Sequence, residues 1–120
     1  MSDTELFNVL INLMSGVRDP KERMAFAKTL RIIETMYLHG QMDDAELLKS
    51  LRELVYTVLW RSRPELFDFP PVPNALPQPS EEAKRIAEKT IQKLYGILKS
   101  RAIYMRARGR FRRFIFGGRV

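Results

Sequence analysis

Few residues of this chain could carry out catalysis, and their spacing matches no known catalytic motif. The single histidine, His39, and the absence of cysteine exclude thiol nucleophiles, zinc–thiolate sites and any site that needs two imidazoles. His39 precedes Gly40 at an expected helix end, where an imidazole interacts favourably with terminal carbonyls. Asp43, Asp44 and Glu46 are acids at an expected helix start, which capping explains. We therefore predict a protein that is not an enzyme and holds neither metal nor cofactor.

The C-terminal residues combine arginine with phenylalanine, a pattern typical of polyanion binding. Residues 99–120 hold eight of the 21 Lys and Arg and none of the 14 Asp and Glu. A guanidinium stays charged and bonds two phosphate oxygens, while a phenyl ring can stack on bases or wedge between them. Because no base-reading motif is present, we expect the protein to bind nucleic acid without sequence specificity. The expected nucleic acid is double-stranded DNA. The predicted contacts are Arg101, Arg106, Arg108, Arg110, Arg112 and Arg113.

Other interpretations of the same residues stay open. The phenylalanines are unusually apolar for a free tail and could dock on a neighbouring subunit of a homo-oligomer. Basic-aromatic segments also lie on anionic membrane surfaces. A helix-turn-helix is disfavoured, because its recognition helix would begin with three acids that phosphates repel. The predicted assembly residues are Phe67, Phe69, Phe111, Phe114 and Phe116.

The elements that must position these residues are predicted to be helices. Ser2 precedes apolar residues at helical spacing, and Asp19 followed by Pro20 is a favoured helix start. Asp43 and Glu46 have the spacing of a capping box. A fourth helix is expected over residues 80–108, roughly 43 Å long, which exceeds the second and third helices by roughly 13–16 Å. The pattern predicts an all-α fold, a four-helix bundle.

A Pro-rich connection separates the third helix from the fourth. Residues 62–79 contain six of the seven prolines, so neither a helix nor a central strand can form there. We expect an extended strap across the end of the bundle, or an arm that docks on a neighbouring subunit. The chain then divides into one domain, residues 1–108, and a basic arm, residues 109–120.

No targeting or membrane-spanning segment is evident in the sequence. Acids near the N-terminus disfavour a signal peptide, and no apolar stretch reaches the ~20 residues that a bilayer requires. We expect a soluble protein that is not secreted.

Small size, an arginine-rich composition without cysteine, and two helical parts divided by the Phe67–Pro79 strap resemble coat proteins of archaeal spindle-shaped viruses. The resemblance implies a compact helical bundle that self-assembles around genomic DNA, in the virion or the host cytoplasm. A related implication is a small helical regulator that binds a protein partner such as the host RNA polymerase. The resemblance assigns no individual functional residue.

Overall fold

The computed structural model describes residues 3–69, 71 and 74–115, with residues 3 and 109–115 described by their backbone alone. Within these residues it contains four helices, α1 (Asp3–Leu13), α2 (Pro20–Leu38), α3 (Asp44–Ser62) and α4 (Glu81–Ile115). A 3-10 turn (Pro64–Leu66) and two short strands, β1 (Phe67–Asp68) and β2 (Gln78–Pro79), lie between α3 and α4. The prediction of a mainly helical protein is confirmed, while the small sheet was not predicted.

The predicted starts of α2 and α3 are confirmed in atomic detail. The Asp19 side chain accepts a hydrogen bond of 2.9 Å from the Lys21 amide, and Pro20 occupies the first turn. At α3, the Asp43 carboxylate accepts from the Glu46 amide at 2.8 Å, and the Glu46 carboxylate accepts from the Asp43 amide at 3.0 Å. Both caps satisfy amides that a helix start leaves without an intrahelical partner.

One apolar core joins the four helices. Leu6 and Leu10 of α1 and Leu47 and Leu51 of α3 are fully buried. Along α4 the buried residues recur every three or four positions, which marks one helix face. They are Ala83, Ala87, Ile91, Leu94, Leu98 and Ala102.

The Pro-rich segment folds back on itself instead of forming an extended strap. Strands β1 and β2 pair antiparallel, with Phe67 opposite Pro79 and Asp68 opposite Gln78. The Ser80 amide donates to the Leu66 carbonyl at 2.9 Å, which closes the same loop. Prolines prevent a longer ladder but permit a two-residue pairing at a sheet edge. We call residues 63–80 the Pro-rich loop.

Helix α4 is longer than predicted. It continues through Gly109 to Ile115, so the expected helix end at Gly109 is wrong. A glycine inside a helix costs only about 1 kcal/mol relative to alanine, too little to end a helix by itself. With 35 residues α4 spans about 52 Å, against about 28 Å for the 19 residues of α2 or α3.

Gly16 lies where the chain after α1 meets the end of α3. Its amide donates to the Ser62 hydroxyl at 2.9 Å, and a Cβ at position 16 would lie 2.1 Å from the Ser62 carbonyl oxygen. This close backbone approach requires a glycine at position 16.

We expect Gly16→Ala to lower the free energy of unfolding by about 2–3 kcal/mol, because the added methyl group forces two backbone segments apart. Gly96→Ala is the matched control, since a Cβ at that helical position meets no atom within 4 Å. The control should raise the stability by up to about 1 kcal/mol. Urea unfolding followed by circular dichroism measures both, and equal stabilities for the two variants would contradict the close approach.

Candidate nucleic-acid interface

The last part of α4 leaves the bundle. Ala102 is buried, whereas Ile103 and Tyr104 are 53% and 65% exposed. Arg106 and Arg108 are exposed as well. Residues 106–115 alone form about 15 Å of helix beyond Met105. We call residues 103–115 the distal segment of α4.

Arg101 is ion-paired within the bundle. Its guanidinium is ion-paired with Glu34 of α2, whose side chain is buried and also lies 3.5 Å from the Arg31 guanidinium. A buried carboxylate needs such partners, because its desolvation is costly. The geometry therefore assigns Arg101 a structural role, and its prediction as a phosphate contact is not supported.

A second cluster holds α4 to the start of α3. Lys99 is ion-paired with Asp44, and the Tyr37 hydroxyl donates to the other Asp44 oxygen at 2.8 Å. The hydrogen bond from Lys99, and next the one from Tyr37, lowers the pKa of the Asp44 carboxyl below its ordinary value; the charge on Arg106 acts in the same direction. Burial and the bond to Asp44 raise the pKa of Tyr37. These contacts fix the base of the distal segment.

The other predicted interface residues follow along the same helix. Arg110, Arg112 and Arg113 lie on the helical backbone, as do Phe111 and Phe114. Phe116 lies outside the described residues.

A repeat of 3.6 residues groups five apolar positions of the distal segment along one strip that contains no arginine, whereas Met105 falls nearly opposite that strip. This apolar strip consists of Ile103, Tyr104, Ala107, Phe111 and Phe114. The basic positions fall outside it. The segment therefore has the pattern of an amphipathic helix.

The two phenylalanines predicted in the loop have different environments. Phe67 is 9% exposed, and its ring packs edge-on at 5.4 Å from Trp60, so it belongs mainly to the core and its docking role stays a prediction. Phe69 is 66% exposed, with its ring 5.0 Å from Trp60, and remains a docking candidate.

An open groove of about 520 Å³ lies beside this aromatic cluster. This groove was not predicted from the sequence. The signals in the sequence were an aromatic pair four residues apart on α3 and the prolines that follow, but spacing could not show that the loop folds back beside α3. The residues of this loop groove include Tyr56, Trp60, Phe67, Leu76, Pro77 and Pro79.

Comparison with known proteins identifies no relative: no family model, curated protein or solved structure matches the chain. In the part of the chain that the structure describes, no helix has the length and apolar composition to cross a bilayer. Across those same residues, no three His, Cys, Asp or Glu side chains come together as a metal site.

If Arg101 is structural, Arg101→Met should lower the free energy of unfolding by about 3 kcal/mol, since it removes the guanidinium that neutralises a buried carboxylate. Arg85→Met, at an exposed position of the same helix, should change it by less than about 0.5 kcal/mol. Chemical unfolding measures both variants. An Arg101→Met protein of unchanged stability with weakened DNA binding would restore Arg101 to the interface.

The lowered pKa of Asp44 predicts a loss of stability in acid. The folded-state pKa lies below the unfolded value near 4, so the contribution is complete above about pH 4 and disappears as the pH falls through the folded-state pKa. Asp44→Asn should lower the stability at pH 7 and make it less dependent on pH in the acid range. Thermal unfolding between pH 2 and pH 7 tests this. An acid profile as steep as that of the unmodified protein would contradict it.

Proposed function

We propose that this protein is a non-enzymatic, self-assembling structural protein that binds nucleic acid without sequence specificity, as a viral coat or DNA-packaging protein does. The observation that carries the proposal is the distal segment of α4. It is a projecting helix with exposed Arg106 and Arg108, in a stretch that contains eight basic and no acidic residues. Its site of action in this proposal is the virion or the host cytoplasm.

The dimensions of the distal segment suit a duplex. A helix with its side chains is about 10–12 Å wide, close to the ~12 Å width of the DNA major groove. Arg106 and Arg108 precede three more arginines along the same helix, so successive phosphates are within reach of one element. Contacts to phosphates release counterions and carry no sequence information. Such binding is non-specific and steeply salt-dependent.

Self-assembly is proposed from the apolar residues exposed at both ends of the molecule. Ile103 and Tyr104 are exposed on the distal segment, and Phe69 and Leu76 on the Pro-rich loop, with Leu76 77% exposed. Exposed apolar groups of this size that cluster together are typical of interaction surfaces. In this proposal the Pro-rich loop serves assembly, and residues 109–120 act as the basic arm.

A second candidate function is a regulator that binds a protein partner such as RNA polymerase. The loop groove favours it, because clefts lined by aromatic residues and proline accept peptide segments. Such a regulator would stay monomeric or dimeric and would need its partner.

We expect the full chain to bind a labelled random DNA duplex with a log–log salt slope between roughly −3 and −4, because about half of its eight C-terminal cations would meet phosphates. Replacing Arg108, Arg110 and Arg112 by Gln should reduce this slope by roughly two to three and weaken binding at least about tenfold near 0.1 M salt. Fluorescence anisotropy at several salt concentrations measures both.

The matched control replaces Arg85, Lys89 and Lys93 by Gln. These residues are exposed on the bundle part of α4, and the change removes the same net charge. The control should bind DNA within about threefold of the wild-type protein. Equal losses in the two triple variants would show that net charge alone attracts DNA. If the wild-type chain does not bind DNA at low salt but binds anionic vesicles and not neutral ones, the distal segment is a membrane-surface helix instead.

A further inference from the structure

Exposed apolar residues lie at opposite ends of the molecule. The loop groove, beside Phe69 and Leu76, lies where α3 ends and α4 begins. The apolar strip lies on the distal segment, beyond the last buried residue of α4, and its first two residues, Ile103 and Tyr104, are both more than half exposed. The described residues of this chain fill neither the groove nor the space over Ile103 and Tyr104.

The distal segment cannot reach the loop groove of its own chain. Pro79 lines the groove, and α4 begins only two residues later, at Glu81. From there the helix continues for 35 residues, or about 52 Å, before the distal segment ends. An occupant with the chemistry of the distal segment must therefore come from another molecule.

The charge of the distal segment disfavours pairing between two distal segments. Residues 61–85, which flank the groove in the sequence, balance four acids with four bases, and exposed Asp68 directly follows Phe67 of the groove. The distal segment and the residues after it contain arginines and no acid. Two distal segments that paired with each other would bring like charges together, whereas a distal segment at the groove would meet a balanced surface with Asp68 beside it. Repulsion between like charges of this kind excludes the like-charged partner surface.

The side-chain chemistry agrees with the charges. Phenylalanine and tyrosine of the apolar strip are rigid aromatic groups, and the groove presents Tyr56 and Trp60 beside prolines. Aromatic rings pack favourably edge-on against each other, as Phe69 already does on Trp60. The volume of about 520 Å³ lies inside the range of ~300–1,000 Å³ that is usual for binding pockets.

We propose that the apolar strip of one copy docks in the loop groove of the next copy, head to tail. The proposal rests on the self-assembly proposed above and names its interface. Because the two contacting surfaces differ, the contact is heterologous and leaves a free groove at one end and a free strip at the other. Assembly then continues into an open filament, and the arginine positions outside the strip stay available for nucleic acid.

Complementation between two full-length variants tests the proposal. The groove variant carries Phe69→Asp and Leu76→Asp, both at exposed positions. The strip variant carries Phe111→Asp and Phe114→Asp. We expect the wild-type mass to rise with concentration and each variant alone to stay monomeric. An equimolar mixture should form a closed heterodimer, because one intact groove meets one intact strip. Size-exclusion chromatography with light scattering measures the masses.

The only tryptophan, Trp60, lies in the groove and reports its occupation directly. On mixing, emission should shift to the blue as solvent leaves the groove of the strip variant. Circular dichroism verifies that both variants are folded. Asp68→Lys, an exposed change beside the groove, is the milder variant, and it should weaken wild-type assembly at low salt and have a smaller effect at high salt.

The alternatives give different results. Dimers of the groove variant alone, with a monomeric strip variant and no gain on mixing, would show strip-to-strip pairing and overturn the proposal. Wild-type-like assembly by the groove variant would also overturn it, while leaving self-assembly intact. A wild-type chain that stays monomeric at every concentration, with and without DNA, would end both this proposal and the self-assembly part of the proposed function.

Discussion

The ion pair between Glu34 and Arg101 is the constraint on which the rest of the structure depends. A carboxylate buried between α2 and α4 can stay charged only if cations come to it, and Arg101 is the one that reaches it from α4, beside Arg31 of α2. This contact fixes the register of α4 along α2. Asp44 and Lys99 fix the same stretch of α4 against the start of α3. Residues that follow Ala102 must then leave the bundle, because α2 and α3 both have an end at this level.

The fixed register gives the molecule two unlike ends. At one end, α3 and the Pro-rich loop bring aromatic residues and prolines together around the loop groove. At the other end, a single helix carries arginines and an apolar strip. The two ends are separated by the length of α4, so the apolar strip cannot contact the loop groove of its own chain. An elongated molecule of 65 × 26 × 21 Å follows from this arrangement.

Local signals in the sequence predicted local structure well. Asp19 with Pro20, and Asp43 with Glu46, mark helix starts because a cap depends on residues within one turn. The features that could not be predicted depend on contacts between residues far apart in the sequence. Spacing cannot show that Arg101, one of six candidate arginines, meets an acid 67 residues away. The burial of Phe67 and the existence of the loop groove depend in the same way on how the Pro-rich loop folds back.

The net charge of one copy limits how many DNA phosphates a filament of this protein can neutralise. Duplex DNA carries one negative charge per ~1.7 Å, so a stretch as long as the 65 Å molecule carries about 40 charges. One copy supplies a net charge of only +7. A single filament aligned with the duplex would therefore leave most phosphates to small counterions, and several filaments side by side would be needed to approach neutrality. In the proposed assembly, each copy therefore meets more phosphates than it has positive charges. Its arginines can bind DNA while its apolar strip contacts the next copy.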